Sequence, residues 1–197
     1  RDAAARALGA DAVAEAVLRE AKARGLDVTL VRNGSRGMVW LEPLVEGETD
    51  GKRVGFGPVS VADVPGVLDG SSDKALGPVE DIPFFKGQTR LTFARVGLID
   101  PLSLAEYAAH GGLEGLKKAL AMPCEGIVKE VTESGLRGRG GAGFPTGIKW
   151  ETVRKAEGPQ KYIVCNADEG DSGTFADRML IEGDPFCLIE GMAIAGI

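Results

Sequence analysis

The sequence predicts an α/β chain in two parts: a small module over residues 1–69 and a second α/β domain over 91–197, joined by a linker over 70–90. Three observations carry that prediction. Residues 10–24, ADAVAEAVLREAKAR, place Val13, Ala16, Val17 and Ala21 on one helical face ahead of Gly25. Short β-branched runs broken by glycines follow, the pattern of strands and turns. The stretch 70–90, GSSDKALGPVEDIPFFKGQTR, then gathers Gly, Pro, Ser and charge, with Phe84 and Phe85 as anchors onto a surface.

In chain order, DVTLVRN (27–33) and GMVWLEPLVE (37–46) read as strands turned at Gly34. RVGFGPV (53–59) pairs with the strand before it, and SVADVPGVLDG (60–70) is a short helix despite Pro65. One sheet packed on two helices is a compact module. The second part opens at LTFARVG (91–97). It continues in helices from Ser103 to about His110, over 112–122 and over 126–135, and reaches a glycine-rich loop. A helix over 149–155, a strand KYIVCNAD (161–168) and helices from Thr174 and Pro185 complete it. Cys165 on that strand, Trp40 and Trp150 read as core or packing residues, and His110 as a helix-terminal residue.

At 197 residues, 44% apolar and 26% charged, the composition is that of a globular protein with a sizeable core. A net charge of -6 speaks against a nucleic-acid or anionic-membrane surface. No apolar run approaches the roughly 20 residues of a membrane span. Cys124, Cys165 and Cys187 stand far apart with no C-x-x-C pair, so neither a disulfide framework nor a metal or iron–sulfur site held by this segment is expected, and a cytoplasmic setting fits. Beginning at Arg1 and stopping within an apolar helical pattern, the chain reads as part of a longer protein.

The chemistry concentrates in GLRGRGGAGFPTGIKW (135–150). Gly138-x-Gly140-x-x-Gly143 meets the G-x-G-x-x-G pattern, but a helix precedes it where the dinucleotide fingerprint needs a strand. Side-chain-free residues still let backbone N–H groups converge on an anion, and a helix beginning soon after adds its dipole. Arg139 and Lys149 supply counter-charge, within a stretch (135–161) that carries six Lys or Arg against two Glu. A nucleotide or flavin phosphate is one reading, a tight structural crossing the other. Phe144 is either a stacking wall for a planar ring or simple packing.

The next segment, YIVCNADEGDSGTFADR, reverses sign. Asn166, Asp168 and Glu169 at a strand end can accept from sugar hydroxyls and heterocycle N–H groups, or form a solvated turn capping the next helix. The acids lack calcium-loop spacing.

Together, GLRGRGGAGFPTGIKW and KYIVCNADEGDSGTFADR closely resemble the flavin-binding subunit family shared by the 51-kDa NADH-oxidising subunit of respiratory complex I, NAD-reducing hydrogenases and NAD-dependent formate dehydrogenases. The resemblance covers about residues 91–197, the first part of the family's flavin domain. It implies a non-covalent FMN exchanging hydride with NAD(H) and electrons singly with iron–sulfur clusters. By position, Gly138, Arg139, Gly140, Gly141 and Lys149 match the FMN-phosphate loop. Asn166, Asp168 and Glu169 match the group around the flavin, and Phe144 matches the aromatic beside the nicotinamide nucleotide. The cofactor does the redox chemistry, so no side chain is assigned as acid or base.

The first part of the chain is then expected to be thioredoxin-like, and without cysteines in 1–69 it cannot ligate a [2Fe-2S] cluster. VRNGSRGMVWLEPLVE resembles most the β subunit of soluble formate dehydrogenase, which implies a [2Fe-2S] partner subunit, a molybdenum-containing catalytic subunit and a [4Fe-4S] site after Ile197. A hydrogenase diaphorase or the complex I subunit is the alternative. Thr152 stands where an adenine-stacking aromatic is expected, and Ser172 where a proline is. Thr152 and the cysteine-free first module lend weight to a flavin-less assembly module as the non-enzymatic alternative.

Overall fold

The computed structural model describes residues 2–49 and 51–197. Helix α1 (Ala3–Ala7) starts at Asp2, whose carboxylate accepts from the Ala5 N–H. Helix α2 (Ala10–Arg24) ends on Gly25 in the left-handed conformation, φ 67°, where a glycine carries no Cβ penalty. Its expected face is the buried one. Val13, Ala16 and Val17 form one core with Phe56, Val59 and Val64. Each larger side chain removed from water here contributes about 1.5–3 kcal/mol.

Strands β1 (Val45–Thr49) and β2 (Lys52–Phe56) pair antiparallel, from Val45 opposite Phe56 to Thr49 opposite Lys52. Helix α3 (Val64–Asp69) follows a capping box in which Ser60 and Asp63 satisfy each other's backbone. Pro65 sits in its first turn, where a missing N–H costs nothing.

Three expectations are corrected in this region. Strand β3 (Ala75–Pro78) pairs antiparallel with β2 and completes the sheet in the order β1-β2-β3, so the 70–90 stretch contributes to the sheet rather than only linking. It also carries helix α4 (Pro83–Lys86). Its aromatics anchor as expected: Trp40 meets Phe84 edge-on at 5.2 Å, and the Arg36 and Arg90 guanidiniums lie 5.2 and 4.8 Å from the Phe85 ring centre. Trp40, read as core or packing, is exposed and packs against Phe84.

Residues 27–33 form no strand. Val28 and Leu30 pack on the core while Asp27, Thr29 and Val31 face outward, so the alternation holds, but no strand among the described residues lies alongside to close a ladder. Within 37–46 only the last two residues, Val45 and Glu46, enter a strand, after a 3-10 turn at Val39–Leu41.

Beyond Pro78 the described residues contain helices and a single isolated bridge, no further strand. Helices α5 (Leu104–Ala109), α6 (Glu114–Leu120), α7 (Cys124–Glu133), α8 (Thr146–Lys155), α9 (Ala176–Gly183) and α10 (Pro185–Ala195) lie where sequence periodicity put them. Ser103 caps α5 by accepting from the Glu106 N–H, and His110 closes it. The expected strand 161–168 is the main correction. It pairs with no strand among the described residues; Val164 is 83% exposed, and Cys165 is exposed instead of buried. As a whole the chain is α/β, helices with one three-stranded sheet. No helix among the described residues is long and apolar enough to cross a membrane.

Candidate functional site

Residues 135–145 fold back on themselves between α7 and α8. The Thr146 N–H donates to the Leu136 carbonyl (2.9 Å) and the Gly138 N–H to the Phe144 carbonyl (2.8 Å), with an antiparallel bridge between Arg137 and Pro145. Two guanidiniums brace the loop: Arg137 Nε donates to the Gly143 carbonyl (2.5 Å), and Arg139 Nη1 to the Arg137 carbonyl (3.0 Å). Gly141 and Gly143 adopt φ 93° and 57°, the left-handed region that favours glycine. The loop thus presents its tip, 139–142, to solvent.

The glycines of this segment serve two different purposes. A Cβ on Gly140 or Gly141 would meet nothing within 4 Å. A Cβ on Gly147 would stand 2.2 Å from Thr132 Oγ1 and 2.7 Å from Thr132 Cα. Gly147 therefore exists for the close approach of α8 to α7, the structural crossing that the sequence leaves open. Gly140 and Gly141 have no protein neighbour that excludes a side chain. Gly147→Ala is expected to cost about 1–3 kcal/mol by overpacking, read as a lower urea midpoint with or without cofactor.

Electrostatics favour an anion at the tip. Arg137, Arg139 and Lys149 form no ion pair among the described residues, and Lys149 Nζ lies 5.9 Å from the ring centre of half-exposed Phe144. The cations further along α8 are matched. Arg154 bridges Glu125 (2.7 Å) and Glu151 (2.8 Å), and Lys155 reaches Glu151 (2.8 Å). Arg154 and Lys155 hold the Glu151 carboxyl down to about 2. Between residues 135 and 155, the cations without an ion pair among the described residues are thus those of the loop and the first turn of α8.

The acidic turn is built separately. Asn166 Oδ1 accepts from the Asp168 N–H (3.1 Å), and Asn166 and Asp168 are exposed. Glu169, at φ 49°, directs both carboxylate oxygens to the start of α9, accepting from the Asp177 N–H (2.8 Å) and the Arg178 N–H (3.1 Å). From sequence, an aspartate of this turn is the expected cap of the helix after Thr174; the carboxylate that caps it is that of Glu169. No hydrogen bond or ion pair among the described residues joins 135–149 to 166–171. The structure brings together Gly138, Arg139, Gly140, Gly141, Phe144 and Lys149 as one cluster and Asn166, Asp168 and Glu169 as another. Two hollows of about 500 and 490 Å³ lie elsewhere, against α2 (Asp11, Leu18, Arg32) and beside the β1–β2 hairpin (Glu48, Arg53, Asp81). Neither gathers residues of the loop.

Comparison with known proteins agrees with the loop. Residues 131–197 match the Nuo51 FMN-binding domain family. The chain is 53% identical over 111 residues to the HndC subunit of the NADP-reducing hydrogenase of Solidesulfovibrio fructosivorans, covering 56% of this chain and 22% of that one. It is 47% identical over 97 residues to a subunit of the NADH-quinone oxidoreductase of Escherichia coli, covering 48% of this chain and 22% of that one. It is 50% identical over 80 residues to the alpha subunit of the NAD-reducing hydrogenase HoxS of Cupriavidus necator, covering 41% and 13%. The chain thus spans about a fifth of the length of most such relatives. The resemblance to the complex I 51-kDa family, with its expectation of FMN and NAD(H), is met by these matches over the chain's second part; a formate dehydrogenase β subunit is not among them.

Proposed function

We propose, from the match of residues 131–197 to an FMN-binding domain, that this chain carries the flavin loop of an FMN-dependent NAD(H) oxidoreductase subunit in a soluble multi-subunit complex. The observation that carries the reading is the pairing of open backbone at Gly140 and Gly141 with three cations that no carboxylate neutralises among the described residues. A phosphate fits both features: it needs backbone N–H groups free of side chains and it supplies the missing negative charge.

In this reading the loop residues Gly138, Arg139, Gly140 and Gly141 hold the FMN phosphate, Lys149 adds long-range attraction, and Phe144 offers a ring face to the nicotinamide nucleotide. When bound, the flavin supplies hydride exchange with NAD(H) and one-electron exchange with iron–sulfur clusters. The chain's own part is to bind and orient. Arg137 and Arg139 hold the loop open through bonds to its carbonyls, so little backbone order has to be gained on binding. Asn166 and Asp168 contribute exposed acceptors for hydroxyl and N–H groups.

Among complexes of this kind we place the chain in a cytoplasmic NAD-dependent formate dehydrogenase, as its electron-transfer β subunit. The resemblance of residues 31–46, VRNGSRGMVWLEPLVE, supports that placement over a hydrogenase diaphorase. Its partners are then a [2Fe-2S] thioredoxin-like subunit and a molybdenum-containing catalytic subunit. Residues 1–69, 70–90 and 91–197 are proposed as a thioredoxin-like module, a connecting segment and the beginning of the flavin domain, with the [4Fe-4S] cysteines lying downstream.

The test is an anaerobic absorption spectrum of the full-length protein before and after NADH. A flavin band that NADH bleaches, above iron–sulfur absorbance, is the expected result. A colourless protein indifferent to added FMN would favour a binding or assembly module.

A further inference from the structure

The first third of the chain reaches the acidic turn through one short helix. Residues 33–37 pack against the C-terminal end of α9 and the segment 96–98. A Cβ on Gly34 would stand 2.4 Å from Gly183 Cα, and one on Gly183 would stand 2.6 Å from Val96 Cγ1. Gly34 meets Gly183 backbone against backbone, and Gly183 takes the Val96 side chain, contacts that leave no room for a side chain on either glycine. Around it, Asn33 Nδ2 donates to the Gly97 carbonyl (2.9 Å), and Arg53 donates to the Gly97 (3.1 Å) and Leu98 (3.0 Å) carbonyls. The Ala3 N–H donates to Glu182 Oε2 (3.0 Å), and Gly37 faces Met179, whose Cε would lie 3.2 Å from a Cβ there.

The far end of α9 is held by Glu169. Its carboxylate takes the N–H groups of Asp177 and Arg178, at 2.8 and 3.1 Å. Eight helical residues, about 12 Å of rigid rod, therefore separate a tight backbone contact from the turn that carries Asn166, Asp168 and Glu169. Packed contacts and hydrogen-bonded rigid elements of this kind are what transmit a displacement from one surface to another.

We propose that α9 is a strut by which the first third of the chain sets the position of the acidic turn, with Gly34 and Glu182 as positioning residues at one end and Glu169 at the other. The inference rests on the proposed flavin function. It goes further by giving the cysteine-free N-terminal module a task within that site: any partner that shifts residues 33–37 also shifts the turn beside the flavin.

The experiment is a double-mutant cycle on the full-length protein, read as the FMN dissociation constant and as KM against kcat for NADH. Gly34→Ala forces the α9 end away and is expected to weaken FMN about fivefold. The same change made in a Glu169→Gln background, where the other end is already loosened, is expected to have less than half that effect. Amide exchange at Asp177 and Arg178, the two N–H groups Glu169 holds, is expected to quicken in Gly34→Ala by more than at amides of α2, which the helix end does not touch. Should Gly34→Ala fail to fold, Glu182→Ala releases the same helix end from Ala3 without adding an atom and gives the same readings. Equal effects in both backgrounds, or FMN binding indifferent to Gly34→Ala and Glu182→Ala, would overturn the strut. A wild-type protein that holds no FMN overturns the functional reading and the strut with it, whereas wild-type flavin binding with indifferent variants overturns the strut alone.

Discussion

Valine at Gly140 is expected to leave the fold intact and strip the flavin. The two effects separate because the position is open: a Cβ there meets nothing within 4 Å, and the backbone is not in the left-handed region that penalises L residues. Gly141, one residue on, cannot give so clean a result, because its φ of 93° strains any side chain whatever the ligand. A branched side chain at Gly140 would fill the volume a phosphate needs and screen the neighbouring N–H groups. Losing two charge-assisted backbone bonds at about 1.5 kcal/mol each corresponds to roughly 100-fold weaker FMN binding. The check is FMN affinity by fluorescence quenching, beside circular dichroism and a urea midpoint matching wild type. Retained flavin in a folded Gly140→Val protein would move the phosphate off this loop. The contrast with Gly147→Ala sharpens the test, since that change should lower stability with or without flavin.

Those two glycines lie seven positions apart in one motif and look alike in sequence. What distinguishes them is Thr132, on the preceding helix, which sits against one and not the other. Features that depend on a few neighbouring residues were legible. Helix α2 with its Gly25 terminus, α5 with its Ser103 cap and the loop with its surplus of cations are all local patterns. Strands need a partner, and that is where reading from sequence failed. The runs 27–33 and 161–168 have strand composition, yet no strand lies beside either among the described residues. The strand that does form at Ala75–Pro78 includes a glycine and a proline, joins the sheet at an edge and shifts register beside Gly55 and Phe56, so neither propensity nor alternation announces it. The same limit applied to the site. Asn166, Asp168 and Glu169 were visible as a polar turn, but the return of Glu169 to N–H groups eight and nine residues ahead depends on where α9 starts.

Asp184→Ala is expected to cost more stability than Gly147→Ala or Gly34→Ala, although Asp184 lies outside the proposed site. Its side chain is fully buried at the junction of α9 and α10, and Oδ2 accepts from Arg95 Nε at 2.8 Å. Arg95 stacks 4.7 Å from the ring centre of buried Tyr107, whose hydroxyl donates to Glu190, and Glu190 in turn accepts from the N–H groups of Leu113 (2.8 Å) and Leu116 (2.9 Å). One chain of contacts thus ties the 95–98 segment, α5, α6 and α10 together. Burial pushes the Asp184 carboxyl above its usual range even with Arg95 beside it, and Oδ1 has no partner among the described residues, so the carboxylate is held at a cost. Removing it alone leaves the Arg95 charge against an aromatic face with no counter-ion, a loss of about 3 kcal/mol or more. Removing both charges while keeping volume, as in Arg95→Met with Asp184→Ala, should recover most of that loss, because a buried ion pair can often be replaced by apolar contact at little cost. Urea denaturation of the two single variants and the double variant checks this, and a coupling energy of about 2 kcal/mol is the expected result. A double variant as unstable as Asp184→Ala would instead mean that the carboxylate matters for starting α10 and not for its partner. In either case Gly183, the residue that meets Gly34, is held from its neighbour in sequence, so the end of α9 that the first third of the chain touches is also tied through Asp184 to Arg95.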